Sequence, residues 1–379
     1  MTRSGLAAGL CLVLSMLACA SGGNPTAPAP IPPTGPSAFD SGQTAYGFFP
    51  SPPEMTDESL LDLLHAMGAH GEVVLIQRAV PWSDFMDGPD GKSQDVTDEQ
   101  NLVIVAGREG LEPIFVIDPL NGLDRRQLAP LPAELQGADF GTPALRRTYL
   151  NYAVRMAKTF HPRYLGLASE INTYADAHPD DFAHFVDLYK QTYAAIKAES
   201  PNTQVFVTFQ WDDLNNLSIM SEGQPPFQIN WEEVDVFEPQ LDLWAISSYP
   251  FVAFDDAAQI PDDYYTRLLD RADKRLAVAE GGWPSEDVAP FHGSTDDQIG
   301  YLQAIDSQLG GHLTFWIYLV LQDFNVEAYR PFLEAQGIGS QVDTLDWFQS
   351  VGLRTYNGQA KPALAVWGSI RGGAALDLP

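Results

Sequence analysis

Cysteine is almost absent from this chain of 379 residues, which contains only two. Both of them, Cys11 and Cys19, lie near the amino terminus. The sequence beyond them therefore has neither a disulfide bond nor a thiol nucleophile. Because 45% of the residues are hydrophobic, we expect the folded part to be stabilised by a large apolar core.

Positive charge is also scarce. The chain has 21 Lys and Arg against 50 Asp and Glu, which gives a formal net charge of -29. Such a surface repels phosphate backbones, so the charge argues against nucleic acid as a partner. The same charge is typical of a well-solvated exterior.

Motifs that bind metals or phosphates are missing too. The seven histidines are scattered, and their spacing to other ligand residues matches no zinc or iron site. No P-loop, nucleophile elbow or Cys/His pair occurs in the sequence. We therefore predict that no metal and no cofactor is used.

The chain lacks a hydrophobic run suited to a stable membrane span. The run "LAAGLCLVLSMLACA" at 6–20 follows Arg3, but it is too short and poorly flanked, so it indicates an export signal. "MLAC" at 16–19 resembles the lipobox of bacterial lipoproteins, which implies lipidation of Cys19. An ordinary cleaved signal is the alternative. The expected product is exported, anchored to a bacterial membrane through Cys19, and periplasmic or displayed at the cell surface.

Proline, alanine, glycine and serine dominate residues 20–42. This composition cannot form a packed element and predicts a semi-extended tether. The predicted organisation is a signal at 1–19, the tether at 20–42 and one catalytic domain at 43–379.

From residue 43, short apolar runs alternate with amphipathic helical patterns. The predicted strands are 43–49, 72–80, 112–118, 164–172, 204–211, 241–249, 275–281 and 313–321. Near-continuous hydrophobicity is typical of parallel strands that are buried on both faces. Eight strand–helix units predict an α/β fold of the (β/α)8 TIM-barrel type. The rival, an open doubly wound sheet, is disfavoured because no G-x-G-x-x-G follows the first strand.

The helical patterns predict which residues face the core. One stripe combines Leu60, Leu61, Leu64 and Met67, and a second combines Phe182, Phe185, Val186 and Tyr189. The long segment between the third and fourth strands is expected to cross the active face as a surface excursion.

The working residues of such a barrel project from the carboxyl ends of its strands. Carboxylates and tryptophans dominate at these ends, which favours hydrolysis by two carboxylates on a substrate that stacks on indole rings. The candidates are Arg78, Trp82, Asp118, Glu170, Asn172, Trp211, Asp212, Asp213, Tyr249, Glu280, Trp283 and Trp316.

Two of these carboxylates have the positions that glycoside hydrolysis requires. One carboxylic acid protonates the leaving oxygen, while a second carboxylate attacks the sugar or activates water. Glu170 closes the fourth predicted strand and Glu280 the seventh, on opposite sides of a small barrel. For direct attack we expect the two groups to be about 5–5.5 Å apart.

The segments "YLGLASEIN" and "RLAVAEGGWP" resemble the acid/base and nucleophile motifs of clan A glycoside hydrolases, with the endo-β-1,4-galactanases as the most similar family. "DLWAISSYPF" is similar to their strand-six motif, and residues 352–367 resemble the closing segment of the clan. The resemblance implies a carbohydrate substrate and a retaining mechanism, with Glu170 as acid/base and Glu280 as nucleophile.

The resemblance also implies roles for neighbouring residues. Tyr249 and Arg78 would keep Glu280 ionised and oriented, and Trp316 would form the sugar platform. Further subsites would use Trp82, Trp211 and Trp283, which together favour an open cleft and endo action. Independently of the resemblance, Asp118, Asp212 and Asp213 are interpreted as loop-turn residues, although Asp118 could touch substrate.

The sequence departs from the clan pattern at Ser169. The clan usually has Asn there, and its side chain bonds the sugar 2-hydroxyl. That contact would be made by Ser169, pass through water, or fall to Asn172. The departure also keeps open a non-catalytic glycan-binding lipoprotein on the same barrel, while a transglycosylase is a third possibility. In another alternative Glu280 is structural and paired with Arg78.

Overall fold

The computed structural model describes residues 37–217, 224–271, 274–335 and 337–373. The predicted signal with Cys19, and the part of the predicted tether before residue 37, lie outside the described residues. No helix within these ranges combines the length and the apolar character needed to cross a membrane.

Parallel strands form the predicted barrel. In chain order the strands are β1 (Ala45–Phe48), β2 (Val73–Ala79), β3 (Glu112–Asp118), β4 (Leu120–Asn121), β5 (Asp124–Leu128), β6 (Tyr164–Gly166), β7 (Gln204–Phe206), β8 (Thr208–Gln210), β9 (Trp244–Ser248), β10 (Leu276–Gly281) and β11 (Leu313–Tyr318). The main sheet has the order β7-β6-β3-β2-β1-β11-β10-β9-β8. Since β7 and β8 are one chain segment interrupted at Val207, this order closes a barrel of eight strand positions and confirms the predicted fold.

Helices surround the barrel and alternate with its strands. They are α1 (Asp57–His70), α2 (Gln94–Arg108), α3 (Pro143–Phe160), α4 (Ile171–Ala177), α5 (Pro179–Glu199), α6 (Trp211–Leu214), α7 (Glu232–Asp235), α8 (Thr266–Leu269), α9 (Thr295–Leu309), α10 (Val326–Ala335) and α11 (Pro362–Arg371). A 3-10 segment, Gly339–Phe348, lies between α10 and α11.

The predicted helix stripes belong to the buried core, except that Leu60 is only partly buried and Leu61 is exposed. All four residues of the α5 stripe are buried, as predicted. On α1, Leu64 and Met67 are buried, but Leu61 is 51% exposed and its predicted core position is wrong. Leu63 is buried instead. Together with Leu64 and Met67 it forms the inward stripe of the helix.

Residues 37–42, the end of the predicted tether, lie against the amino-terminal end of the barrel. The Ser37 hydroxyl donates to Glu112 Oε2 at 2.7 Å, and Phe39 packs edge-on against Tyr164 at 4.7 Å between ring centroids. Glu112 and Tyr164 are the first residues of β3 and β6. Among the described residues, the contacts with the barrel therefore already include Ser37, which lies before the predicted boundary at 43.

The long segment between β3 and α3 begins with an antiparallel hairpin, β4–β5. The side chain of Asn121 accepts a hydrogen bond from Leu123 N at 2.9 Å, which stabilises the turn at Gly122. The prediction of a surface excursion is wrong for this part, because residues 120–125 are buried. The hairpin carries Arg125 into the interior, where the guanidinium is fully buried.

Candidate active site

Glu170 lies where the chain turns from β6 into α4. The backbone of Glu170 has φ 52°, a left-handed conformation that is uncommon for a residue with a side chain. Its N–H donates to Thr208 Oγ1 of β8 at 2.8 Å, which fixes this turn to the neighbouring strand. The predicted strand therefore ends early, and the turn positions the carboxylate at the carboxyl end of the barrel.

The carboxylate of Glu170 is 1% exposed and is held at both oxygens. Oε1 accepts from the Ser247 hydroxyl at 2.5 Å, and Oε2 accepts from Arg125 Nε at 3.2 Å. A buried carboxylate with two such donors has a fixed orientation.

Asp118, at the end of β3, is linked to Glu170 through Arg125, which bonds both carboxylates. Its Oδ2 accepts from Gln77 Nε2 at 2.7 Å and from Arg125 Nη1. Its Oδ1 accepts from Leu120 N at 3.1 Å. The structure thus places Asp118 near the site, but its bonds run to the protein rather than to an open surface.

Glu280 lies near the end of β10 and is 2% exposed. Its Oε1 accepts from the Tyr249 hydroxyl at 2.5 Å, as the resemblance implied for this tyrosine. The two glycines that follow are needed for close packing. A Cβ at Gly281 would collide with the Tyr301 hydroxyl, and one at Gly282 would meet Val351 Cγ1 at 2.5 Å.

One strand brings the two glutamates together. Ser247 and Tyr249 are two residues apart at the end of β9, and each donates to one of the glutamates. Alternate residues on a strand point to the same face, about 6.5–7 Å apart. Glu170 and Glu280 therefore share one polar patch at the carboxyl end of the barrel.

Burial and the charge of Glu280 raise the pKa of Glu170 to about 8. The Arg125 guanidinium and the Ser247 hydroxyl act in the opposite direction, because both favour the ionised carboxylate. The raised pKa favours the protonated form of Glu170, which can donate a proton. A carboxylic acid beside a hydrogen-bonded carboxylate is the arrangement for acid catalysis combined with nucleophilic attack.

Arg78 does not have its predicted place. Its Nε lies 3.8 Å from Glu99 Oε1 of α2, and burial lowers the pKa of its guanidinium. Since Gln77 bonds to Asp118 inside the barrel, strand alternation directs Arg78 outward, toward the helices. The prediction that Arg78 orients Glu280 is therefore wrong, and the arginine of the site is Arg125, which contacts the other glutamate.

Trp316 also lies on the outer side of the barrel. Its ring packs at 5.3 Å from Trp367 of α11, whereas the neighbouring Phe315 packs across the interior against Tyr164 and Phe206. Adjacent residues of a strand point to opposite faces, so Trp316 cannot be a sugar platform, and that prediction is wrong.

The three tryptophans predicted to form further sugar subsites are buried against other aromatic side chains. Trp82 lies against Tyr149 of α3, Trp211 against Trp231 and Tyr264, and Trp283 against Phe251. Each is at most 4% exposed, so they do not form the expected open stacking surface.

The candidates for the sugar 2-hydroxyl are engaged with the protein. The Ser169 hydroxyl lies 3.2 Å from Thr208 Oγ1. The amide of Asn172 donates to Gln210 O and to Asp213 Oδ2 and accepts from Gln210 N. Asn172 thus joins α4 to the next strand, and its amide is not directed to a substrate.

The acidic residues of α6, Asp212 and Asp213, are also engaged with the protein. Asp212 is fully buried and accepts from the Tyr264 hydroxyl, the Tyr249 N–H and Gln210 Nε2. In the part of the chain that the structure describes, no group of three or more His, Cys, Asp or Glu is arranged to hold a metal ion.

Sequence reasoning missed Gln77, Arg125 and Ser247. Neighbouring residues of a strand point to opposite faces. If Gln77 points inward, beside Asp118 of β3, Arg78 must therefore point outward. The Asn121-Gly122 pair is a hairpin signal, and a hairpin at the barrel mouth could carry Arg125 inward. For Ser247, the signal is its spacing of two residues from Tyr249.

No protein-family model and no curated protein matches the sequence. An exo-β-1,4-mannosidase from Opitutaceae bacterium strain TAV5 matches the structure with a TM-score of 0.62 and 16% identity, over 89% of this chain and 61% of its own. A GH5_18 protein from Streptomyces cattleya in complex with GlcNAc gives a TM-score of 0.64 and 17% identity, over 89% and 82%.

A family 1 β-glucosidase from Thermotoga maritima gives a TM-score of 0.51 and 12% identity, over 83% of this chain and 85% of its own. None of these three proteins is a galactanase, so the resemblance to that family stays a prediction. The chain spans about 61% of the length of the exo-mannosidase. At these identities the likeness shows a shared fold, the (β/α)8 barrel of these glycosidases.

Proposed function

We propose that this protein is a retaining glycoside hydrolase that cleaves β-linked glycans, with Glu170 as acid/base and Glu280 as nucleophile. The observation that carries the proposal is the pair Ser247 and Tyr249, which holds two buried glutamates at the carboxyl end of one barrel. The matches to a mannosidase and a glucosidase support the same reaction class.

The reaction has two steps. In the first, Glu170 gives its proton to the glycosidic oxygen while a carboxylate oxygen of Glu280 bonds to the anomeric carbon, and the leaving sugar departs as an alcohol. In the second, ionised Glu170 takes a proton from water, and the water oxygen displaces Glu280 from the anomeric carbon. Two displacements at one carbon return the original anomeric configuration.

The surroundings of the two glutamates fit these roles. The pKa of Glu170 is raised, so that it holds a proton before the first step. The Tyr249 hydroxyl donates to Glu280 and favours its ionised, nucleophilic form. Arg125 favours ionised Glu170, which is the form needed in the second step.

The sugar and the mode of attack are a finer part of the proposal. The sequence motifs are similar to those of galactanases, whereas structural matches include an exo-β-1,4-mannosidase and a GH5_18 protein with GlcNAc. Endo action was expected because tryptophans would form an open cleft, and their burial removes that support. Because one structural match is an exo-acting enzyme, we propose attack at a chain end of a β-linked mannoside or galactoside.

The test is product analysis with mannan, galactan, arabinogalactan, β-glucans and aryl β-glycosides. We expect release of monosaccharide or short oligosaccharide, and NMR of the first product should show the β anomer. Glu170→Ala and Glu280→Ala should abolish release, whereas Glu58→Ala, at an exposed glutamate of α1, should not. Full activity in either active-site variant contradicts the assignment. Binding to a glycan without turnover would instead favour the glycan-binding alternative.

The anchor remains a proposal that rests on the sequence. Residues 37–42 contact the end of the barrel opposite to the two glutamates, so the predicted tether joins the barrel at that end. Detergent phase partitioning should place the wild type in the detergent phase and Cys19→Ala in the aqueous phase. Equal partitioning of both forms would contradict lipidation.

A further inference from the structure

The hairpin between β3 and α3 brings a buried cation to the acid/base. The Arg125 guanidinium is fully buried and bonds two carboxylates at once. Its Nε donates to Glu170 Oε2 at 3.2 Å, and its Nη1 donates to Asp118 Oδ2. Arg125 is not among the candidate site residues that the sequence predicts.

Asp118 holds the guanidinium of Arg125 in position through its contact with Nη1. That carboxylate is held by Gln77 Nε2 of the barrel strand β2 at 2.7 Å and by Leu120 N of the hairpin strand β4 at 3.1 Å. Asp118 therefore fixes Arg125 by contacts that do not involve Glu170.

We propose that Arg125 is a positioning residue for the acid/base Glu170, with Asp118 as its fixed counter-ion. The inference rests on the function proposed above and names the groups that govern how Glu170 exchanges its proton. Arg125 stabilises Glu170 after the proton has gone to the leaving sugar and holds Oε2 in place. Asp118 limits this stabilisation, so that Glu170 still binds a proton before the next cycle.

Several charged or titratable groups face Glu170. They are Arg125 from β5, Glu280 from β10 and the Ser247 hydroxyl from β9, while Asp118 of β3 contacts Arg125 and Tyr249 contacts Glu280. Burial and Glu280 oppose ionisation, and Arg125 and Ser247 favour it. Removing the cation and removing its counter-ion should therefore change the proton affinity of Glu170 in opposite directions.

The experiment compares Arg125→Gln with Asp118→Asn by two measurements. One is a ¹³C NMR titration of the Glu170 carboxyl, assigned with Glu170→Gln, and the other is the alkaline limb of kcat/KM. We expect both to move to higher pH in Arg125→Gln, by about one to three units, because a nearby opposite charge is lost. In Asp118→Asn both should move to lower pH, because a negative charge is lost.

Two further variants separate this role from a structural one. Arg125→Lys keeps the charge and should show a smaller upward shift than Arg125→Gln. Arg126→Gln removes the adjacent arginine, which is 25% exposed and pairs with Asp124, and should leave the titration unchanged. Circular dichroism melts establish that each variant is folded, and Arg125→Lys carries the test if Arg125→Gln does not fold.

Unchanged titration in both variants, or shifts in the same direction, would overturn the inference. If the wild type hydrolyses a glycoside while these shifts are absent, the positioning role fails and the proposed function stands. If no substrate is turned over, the proposed function fails, and the NMR titration still reports whether Arg125 and Asp118 control the proton on Glu170.

Discussion

Glu170 and Glu280 are the same residue type at the same end of one barrel, yet their surroundings differ. Glu170 accepts from a guanidinium and a serine hydroxyl, and its pKa is raised by burial and by the charge of its partner. Glu280 accepts from the phenol of Tyr249 and is followed by two closely packed glycines, Gly281 and Gly282. Neighbouring groups, rather than residue type, therefore distinguish the carboxyl group proposed for proton transfer from the one proposed for attack.

The largest expected effects come from removing either carboxylate. Glu280→Gly and Glu170→Gly should each lower kcat on unactivated substrates by about 10⁴-fold or more, since each step needs both groups. With an aryl β-glycoside that has a good leaving group, added azide should restore turnover in both variants. Azide should give the α-glycosyl azide in Glu280→Gly and the β-glycosyl azide in Glu170→Gly, as read by NMR.

These products separate the two roles because azide attacks from the face that the missing carboxylate leaves open. Glu58→Gly at the protein surface serves as the control and should give neither product. The reverse assignment of the two azides would exchange the roles of Glu170 and Glu280.

A smaller effect is expected from Tyr249→Phe, which removes the donor to Glu280. Hydrogen bonds to charged groups contribute about 1.5–3 kcal/mol, so kcat/KM should fall by about 10- to 100-fold. Tyr193→Phe is the matched control, since it removes a hydroxyl that donates to Asp242 outside the site. Equal activity of the two variants would show that the phenol does not assist Glu280.

The dependence of kcat/KM on pH should also distinguish Glu170 from Glu280. Because the pKa of Glu170 is raised to about 8, the acid form is present below that pH, and kcat/KM should fall as pH rises through it. Ser247→Ala removes a donor that favours the ionised form, so the alkaline limb should move up by about one unit. Ser248→Ala, whose hydroxyl contacts Tyr265, is the control. A downward shift in Ser247→Ala would contradict the described role of this hydroxyl.

The smallest effect on activity is expected from Trp316→Phe. The ring lies between β11 and α11, outside the barrel, so kcat and KM should remain within about twofold of wild type. The free energy of unfolding should fall by about 1–3 kcal/mol, because a buried indole is replaced by a smaller ring. Urea denaturation measures this change. A large rise in KM without a loss of stability would return Trp316 to the sugar site.

The barrel and its two glutamates were predictable from the sequence for one physical reason. Strands buried on both faces give continuous apolar runs, and a charged residue that ends such a run must lie at a strand tip. Glu280 after "RLAVA" and Glu170 after "YLGLAS" met this condition. Tyr249 was found in the same way, at the end of β9.

The residues around the two glutamates are harder to predict, because the sequence does not show which face of its strand each side chain occupies. Continuous apolar runs hide the alternation that separates inner from outer positions, so Arg78 and Trp316 were assigned to the interior. Arg125 was missed for another reason, since its place depends on a hairpin that folds back over the barrel mouth. Such contacts between distant segments leave little local signal in the sequence.

The central claim is that Glu280 attacks the sugar while Glu170 transfers the proton. It is tested most directly by incubation with 2-deoxy-2-fluoro-β-mannosyl and β-galactosyl fluorides, which slow the second step, followed by mass spectrometry of the digested protein. We predict one covalent fluorosugar on the peptide that contains Glu280, and none in Glu280→Ala. A label on Glu170, or turnover of either fluoride through an unlabelled enzyme with inverted product, would contradict the account.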